Sequence, residues 1–208
     1  MARVGILGGT FNPPHIGHML CAQEALWELQ LDRVLLIPVH TPPHKEATED
    51  PGVEHRVELC RRAAAGDPRL EVSRIEADRP GPSYTVDTLR DLHESAPTQN
   101  QLTFIVGGDQ AHGLPNWREP EALLELAELA VAEREGVGRE DIVQALSGLS
   151  GAAERVRFFT MPRVDVSSSL VRRRVAAGRP IRWLVPGAVA EYIESAGLYR
   201  GDRLQVPA

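Results

Sequence analysis

The stretch Arg3-Val4-Gly5-Ile6-Leu7-Gly8-Gly9-Thr10-Phe11-Asn12-Pro13-Pro14-His15-Ile16-Gly17-His18 decides how the rest of the chain is read. Residues 3–7 form a short apolar run bounded by glycines, the pattern of a buried strand. Residues 17–29 follow with Leu20, Ala22, Ala25, Leu26 and Leu29 at helical spacing, so the glycine-rich turn joins a strand to a helix. Glycines there let backbone N–H groups approach an anion closely, and the helix N-terminus adds donors and the positive end of its dipole. Thr10 contributes a hydroxyl. His15 and His18, three apart, can face the same anion if their turn is helical, and their N–H groups could then stabilise charge on a transferring phosphoryl group. A zinc site is the weaker reading, because the helical zinc pattern needs histidines four apart with an intervening glutamate. The dinucleotide fingerprint Gly-x-Gly-x-x-Gly fails on spacing.

Outward from this turn the same rhythm repeats. Strands are expected at 33–38, 70–75, 102–106, 129–132 and 156–160, and helices at 53–65, 83–93, 119–128, 167–176 and 187–195, with Ser83 and Ser167 as caps. Residues 39–52, with Pro42, Pro43 and Pro51 among several charges, read as a long loop. Short apolar strands alternating with helices predict an α/β fold, a doubly wound parallel sheet with helices on both faces. Ligands of such sheets bind beyond the carboxyl ends of the strands. No repeat or linker divides the chain, so residues 1–208 are expected to form a single domain, with a C-terminal helical part at about 165–200 packed on it.

Composition narrows the function. With 42% hydrophobic and 25% charged residues in 208, the chain is that of an ordinary globular protein. Lys and Arg total 23 against 29 Asp and Glu, a net charge of −6, which argues against general affinity for nucleic acid or an anionic membrane. No apolar run approaches the roughly 20 residues that span a bilayer. Cys21 and Cys60 stand alone, offering neither a zinc ribbon nor a redox pair. The start of the chain lacks a basic, apolar and cleavable leader, so a cytoplasmic location is expected.

The run Gly8 to His18 resembles the signature of the His-x-Gly-His nucleotidyltransferases, a superfamily with a Rossmann-like fold that transfers a nucleotidyl group from a nucleoside triphosphate and releases pyrophosphate. The resemblance implies an ATP site at Gly8, Gly9, Thr10, His15 and His18. Val166-Ser167-Ser168-Ser169-Leu170-Val171-Arg172 is similar to the second signature of that group, Ile-Ser-Ser-Thr-x-Ile-Arg, with Ser169 in place of threonine and valines in place of isoleucines. Its hydroxyls and guanidinium are the chemistry of a polyphosphate grip. Pro42-Pro43-His44-Lys45 presents a lysine on the long loop that could reach a phosphate.

Three further segments resemble bacterial nicotinate-nucleotide adenylyltransferases in particular: Pro82-Ser83-Tyr84-Thr85-Val86-Asp87-Thr88, Gly107-Gly108-Asp109 with the downstream Trp117, and the C-terminal run from Pro180 to Tyr199. Read singly, each has an ordinary structural explanation: a helix cap, a turn former, a buried aromatic. Their joint order is far more specific, and the resemblance spans about residues 3–199.

The resemblance implies transfer of AMP from ATP to nicotinate mononucleotide, giving nicotinate adenine dinucleotide and pyrophosphate. His15, His18, Lys45 and Arg172 are the expected catalytic residues. ATP would be held by Gly8, Gly9, Thr10, His15, His18, Gly107, Asp109, Ser167, Ser168, Ser169 and Arg172. The mononucleotide would be held by Lys45, Tyr84, Thr85 and Trp117, with Trp117 stacked on the pyridine and Thr85 beside its carboxylate. Mg²⁺ would travel with ATP and need no protein side-chain ligand. Partners are then ATP and nicotinate mononucleotide, without nucleic acid or membrane, and with homo-oligomerisation left open.

Other readings are transfer onto phosphopantetheine or nicotinamide mononucleotide, a class I aminoacyl-tRNA synthetase, and a silent nucleotide sensor. The synthetase reading lacks its Lys-Met-Ser-Lys-Ser motif, and a sensor would be expected to have lost a phosphate-gripping residue.

Overall fold

The computed structural model describes residues 1–41, 49–95, 100–133 and 137–200. Six strands, β1 (Ala2–Gly9), β2 (Arg33–Pro38), β3 (Leu70–Val72), β4 (Asn100–Gly107), β5 (Glu128–Glu133) and β6 (Val156–Thr160), form one sheet. Its order is β3-β2-β1-β4-β5-β6, and every pairing is parallel. The order reverses between β1 and β4, so their carboxyl ends open a crevice at the switch point.

Side chains alternate across the sheet as a period of two requires. Val4 and Ile6 of β1, Leu102, Phe104 and Val106 of β4, and Leu129 and Val131 of β5 enter one core. Helices α3 (Thr85–Ser95), α4 (Gly108–Gly113), α5 (Pro120–Leu126) and α6 (Arg139–Leu146) cover it through Leu89, Ala111, Leu123, Leu124, Ile142 and Leu146. Leu7, Ile105, Ala130 and Ala132 face the other way, against Ala22, Ala25 and Leu26 of α1 (Ile16–Glu28) and Cys60 and Ala64 of α2 (Val53–Ala64). Gly5 lies on that second face, where a Cβ would come within 2.8 Å of Leu31 and Val34 side-chain carbons, so the absence of a side chain lets the start of β2 and the residue leading into it pack close on β1. The doubly wound sheet expected from the sequence is therefore present.

A short α7 (Ala152–Arg155) precedes β6, and α8 (Ser168–Ala176) and α9 (Gly187–Ser195) complete the chain. They share a third cluster with α2: Leu59 and Ala63 meet Val171, Val185, Val189 and Ile193. Helix α2 thus buries one stripe toward the sheet and another toward the C-terminal helices.

Three local expectations change. β3 ends at Val72 rather than at 75, because the chain turns away after Ser73 N–H bonds Leu36 O at 3.0 Å. Helices α4, α6 and α7 lie where no helix was expected. Ser83 does not cap α3: its hydroxyl accepts from His40 N–H at 3.3 Å, and its own N–H bonds Thr41 O at 3.1 Å. The helix begins instead with Thr88 N–H on Tyr84 O, 3.2 Å.

Candidate active site

The glycine turn leaves the carboxyl end of β1 at the switch point, and Gly8, Gly9 and Thr10 line a cavity of about 220 Å³ there. Tyr84, Thr85 and Trp117 line the same cavity. Trp117 stands edge-on to Phe104, with ring centroids 6.0 Å apart, and the Arg118 guanidinium lies 4.8 Å from the centre of the Tyr84 ring. Residues more than seventy positions apart in sequence are thereby placed around one apolar, aromatic-walled space with a few polar groups, the usual make-up of a small-molecule site.

His15 and His18 meet at the start of α1, with ring centroids 3.8 Å apart. They are not both helical residues, as the spacing suggested. His15 is the N-cap, with extended backbone, and His18 is the third helical residue. His15 N–H donates to His18 Nδ1 at 3.2 Å. That bond requires Nδ1 to be unprotonated, so a neutral His18 carries its proton on Nε2 and can donate from there. Phe11 packs edge-on to the same ring at 5.1 Å. Gly17 has a function that its place between two histidines did not reveal: a Cβ there would lie 3.1 Å from Cε1 and Nδ1 of His15. The missing side chain makes room for the imidazole.

The second signature folds against the first. Ser167 caps α8 by accepting from Leu170 N–H at 3.2 Å, as expected. The Ser168 hydroxyl donates to Pro13 O at 2.7 Å. Arg172, 11% exposed, donates from Nη1 to Asn12 O at 2.8 Å and from Nη2 to the Ser169 hydroxyl at 3.4 Å, while Nε meets Glu49 Oε2 at 2.9 Å. The C-terminal part also reaches α1 directly, where Ile16 N–H bonds Leu184 O at 3.0 Å. Gly107 ends β4 and Asp109 lies in the first turn of α4, exposed. Both sit at the carboxyl end of the sheet, although Gln110, rather than either of them, borders the cavity. Lys45, with His44, falls outside the described residues.

Two residues unremarked in the sequence hold the site together or line it. Arg56 of α2 is 1% exposed. Its guanidinium donates to Thr10 O at 3.2 Å, Val39 O at 2.6 Å and His40 O at 3.0 Å, and to Asp50 Oδ1 at 3.0 Å. One cation thus fixes the glycine turn, the exit of β2 and the far end of the long loop. Glu76 is buried in the cavity wall, and burial pushes its carboxyl above the usual range against the opposing pull of Thr88, Arg79 and Ser83. Neither residue announces itself locally. An arginine in a charged helix and a glutamate in a turn look like surface until the chain is folded.

Comparison with known proteins agrees with this geometry. Residues 6–174 match the family model described as cytidylyltransferase-like. A "probable nicotinate-nucleotide adenylyltransferase" of Roseiflexus sp. strain RS-1 is 46% identical over 200 residues, covering 96% of this chain and 98% of the relative. The chain belongs to the nicotinate-nucleotide adenylyltransferase family. A relative of the same description from Thermomicrobium roseum is 41% identical over 207 residues, covering 100% and 96% of the two chains. Among solved structures, Plasmodium falciparum nicotinic acid mononucleotide adenylyltransferase complexed with NaAD superposes with a TM-score of 0.76 at 18% identity, covering 96% of this chain and 98% of that one. Identity that low speaks to the fold alone.

Proposed function

We propose that this chain transfers the adenylyl group of ATP to the phosphate of nicotinate mononucleotide, forming nicotinate adenine dinucleotide and pyrophosphate. The observation that carries the reading is that the glycine turn leading to the His15–His18 pair and the Tyr84, Thr85 and Trp117 cluster open on one cavity. A mononucleotide phosphate is already ionised at neutral pH. Its oxygen attacks the α-phosphorus of ATP, the bond to the bridging oxygen breaks, and pyrophosphate leaves with that electron pair. No covalent enzyme intermediate is needed, so catalysis consists of positioning and charge stabilisation.

In this reading the N–H groups of the turn and of the first turn of α1, the His18 Nε2–H donor, His15 and Arg172 receive the triphosphate. Lys45 would add a further cation from the long loop. Gly107, Asp109 and the serines 167–169 border the nucleotide at the sheet's carboxyl edge. Arg172 must exchange Glu49 for phosphate oxygens, since all three of its guanidinium nitrogens have protein partners here.

Among the described residues no group of three or more His, Cys, Asp or Glu side chains is arranged to hold a metal ion. Mg²⁺ would enter with ATP, held by phosphate oxygens and water. Among the described residues no helix is long and apolar enough to cross a membrane; a cytoplasmic location is part of the proposal and goes with the activity that the relatives' descriptions name.

The test is to incubate the purified protein with Mg–ATP and either nicotinate or nicotinamide mononucleotide and to quantify dinucleotide and pyrophosphate. The expected result is stoichiometric formation of both products, faster with nicotinate. Absence of dinucleotide with either acceptor refutes the reading.

A further inference from the structure

The wall of the cavity carries a buried acid that neither phosphate binding nor recognition of the pyridine carboxylate uses. Glu76 is 6% exposed. Its Oε1 accepts from the Thr88 hydroxyl at 2.7 Å, and its Oε2 is buried without a close hydrogen-bond partner, although the Ser83 hydroxyl is near enough to pull on the carboxyl. The Thr88 hydroxyl in turn receives Arg79 Nη2 at 2.7 Å, but Arg79 Nη1 is bonded to Asp91 at 2.6 Å. The nearby guanidinium is therefore held off by one intervening hydroxyl and paired with another carboxylate. Native folds rarely leave a buried acceptor unpaired unless something else satisfies it.

Among the described residues lining the cavity, Glu76 is the only acidic one and Arg118 the only basic one. Arg118 is engaged by acids of its own, with Nη1 3.4 Å from Asp87 Oδ2 and Nε 3.6 Å from Glu119 Oε1. Glu76 thus contributes a carboxyl to the wall of a space that Tyr84, Phe104 and Trp117 also line.

The acceptor nucleotide has a property matched to that arrangement. Its ring nitrogen is quaternised by the bond to ribose, so the pyridine is a cation whatever group it bears. A cation entering a cavity of low dielectric is stabilised strongly by an anion already fixed there. We propose that Glu76 is the counter-charge for the cationic pyridinium ring of the mononucleotide, and that it selects quaternised pyridines over neutral ones. Stacking by Trp117 recognises the ring's plane and the Thr85 region its substituent; an aromatic face also favours a cation, and Glu76 adds a full anion to that preference. The unpaired Oε2 is then a group whose partner is the substrate. This inference rests on a pyridine mononucleotide being the acceptor.

The experiment measures Kd by calorimetry for nicotinate mononucleotide and for its 1,4-dihydro form, which keeps the phosphate and the carboxylate but has an uncharged ring nitrogen. Wild type and Glu76→Gln are compared. Wild type is expected to bind the charged ring about tenfold more tightly or better, and Glu76→Gln to reduce that ratio about tenfold, chiefly by weakening the charged ligand. A purely structural role for Glu76 would weaken both ligands alike and leave the ratio unchanged, which overturns the proposal. If the variant does not fold, Glu76→Asp takes its place with the same expected and refuting ratios, and equal wild-type Kd values for the two ligands overturn the proposal as well. Failure of wild type to bind or convert either mononucleotide refutes the acceptor assignment itself, a distinct result from binding both equally.

Discussion

Replacing Gly17 by alanine separates the needs of the fold from those of the reaction. An added Cβ would lie 3.1 Å from Cε1 and Nδ1 of His15, inside the 3.4–4 Å of ordinary contact, while its other neighbour, Val166 O, is 4.0 Å away. The imidazole has to retreat by a few tenths of an ångström. Its ring is buried and its centroid is only 3.8 Å from that of His18, so the displacement is passed to the second histidine. A misplacement of 1 Å in a reacting site costs on the order of 10²-fold, so a few tenths should lower kcat roughly tenfold. Stability moves the other way, because alanine in place of glycine in a helix is favourable by about 0.5–1 kcal/mol. Pyrophosphate release at saturating ATP and mononucleotide, with thermal unfolding in parallel, reads both effects. The expected outcome is an unchanged or raised Tm with a roughly tenfold lower kcat. A kcat within twofold of wild type refutes the view that this glycine makes room for His15, and a Tm that falls together with kcat shows that the added methyl damages the helix instead.

Other perturbations test the remaining parts. Arg56→Met leaves Asp50 and three backbone carbonyls without their cation, and should cost about 3 kcal/mol, a Tm drop of roughly 6–12 °C for a chain of this size; a loss under 1 kcal/mol by denaturant titration would remove Arg56 as the tie between turn and loop. His18→Ala should lower kcat by roughly 10²-fold in a folded protein, and near-normal turnover sinks its assignment. Glu49→Gln removes the charge that competes with ATP for Arg172, so KM for ATP should fall about two- to threefold, whereas Arg172→Ala should raise it about tenfold or more; steady-state kinetics in which both variants match wild type exclude Arg172 from the site. Trp117→Ala should raise KM for nicotinate and nicotinamide mononucleotides alike, while Thr85→Val should narrow the gap in kcat/KM between them; the opposite pattern would reverse the two roles.

The strands were legible because each is a short apolar run ended by glycine, proline or charge, and the alternation that splits Val4 and Ile6 from Leu7 is already visible in their order. Helix α4 was not, since its six residues bury only Gly108 and Ala111, too few for any period to emerge. Helix α6 hides for a similar reason: Ile142 and Leu146 are its only buried residues. Ser83 misled because a serine just before a helix has the chemistry of a cap, yet a backbone N–H from residue 40 outcompetes the local one. Within the site, the histidines, the serine cluster, Arg172 and the aromatic residues could be found from motifs that lie contiguous in the chain. Arg56, Glu76 and the spatial use of Gly17 could not, because each acts through a neighbour that only folding supplies, or through a side chain that is absent.

The bonds from Ser168 to Pro13, from Arg172 to Asn12 and from Leu184 back to Ile16 also set an order in time. A chain emerging from the ribosome at about 5–20 residues per second presents its glycine turn many seconds before the residues that brace it. Through that interval β1 can pair with β2, yet the turn lacks its buttress from the far end of the polypeptide. A nascent chain arrested before residue 184 would therefore carry the complete first signature without the segments that brace it.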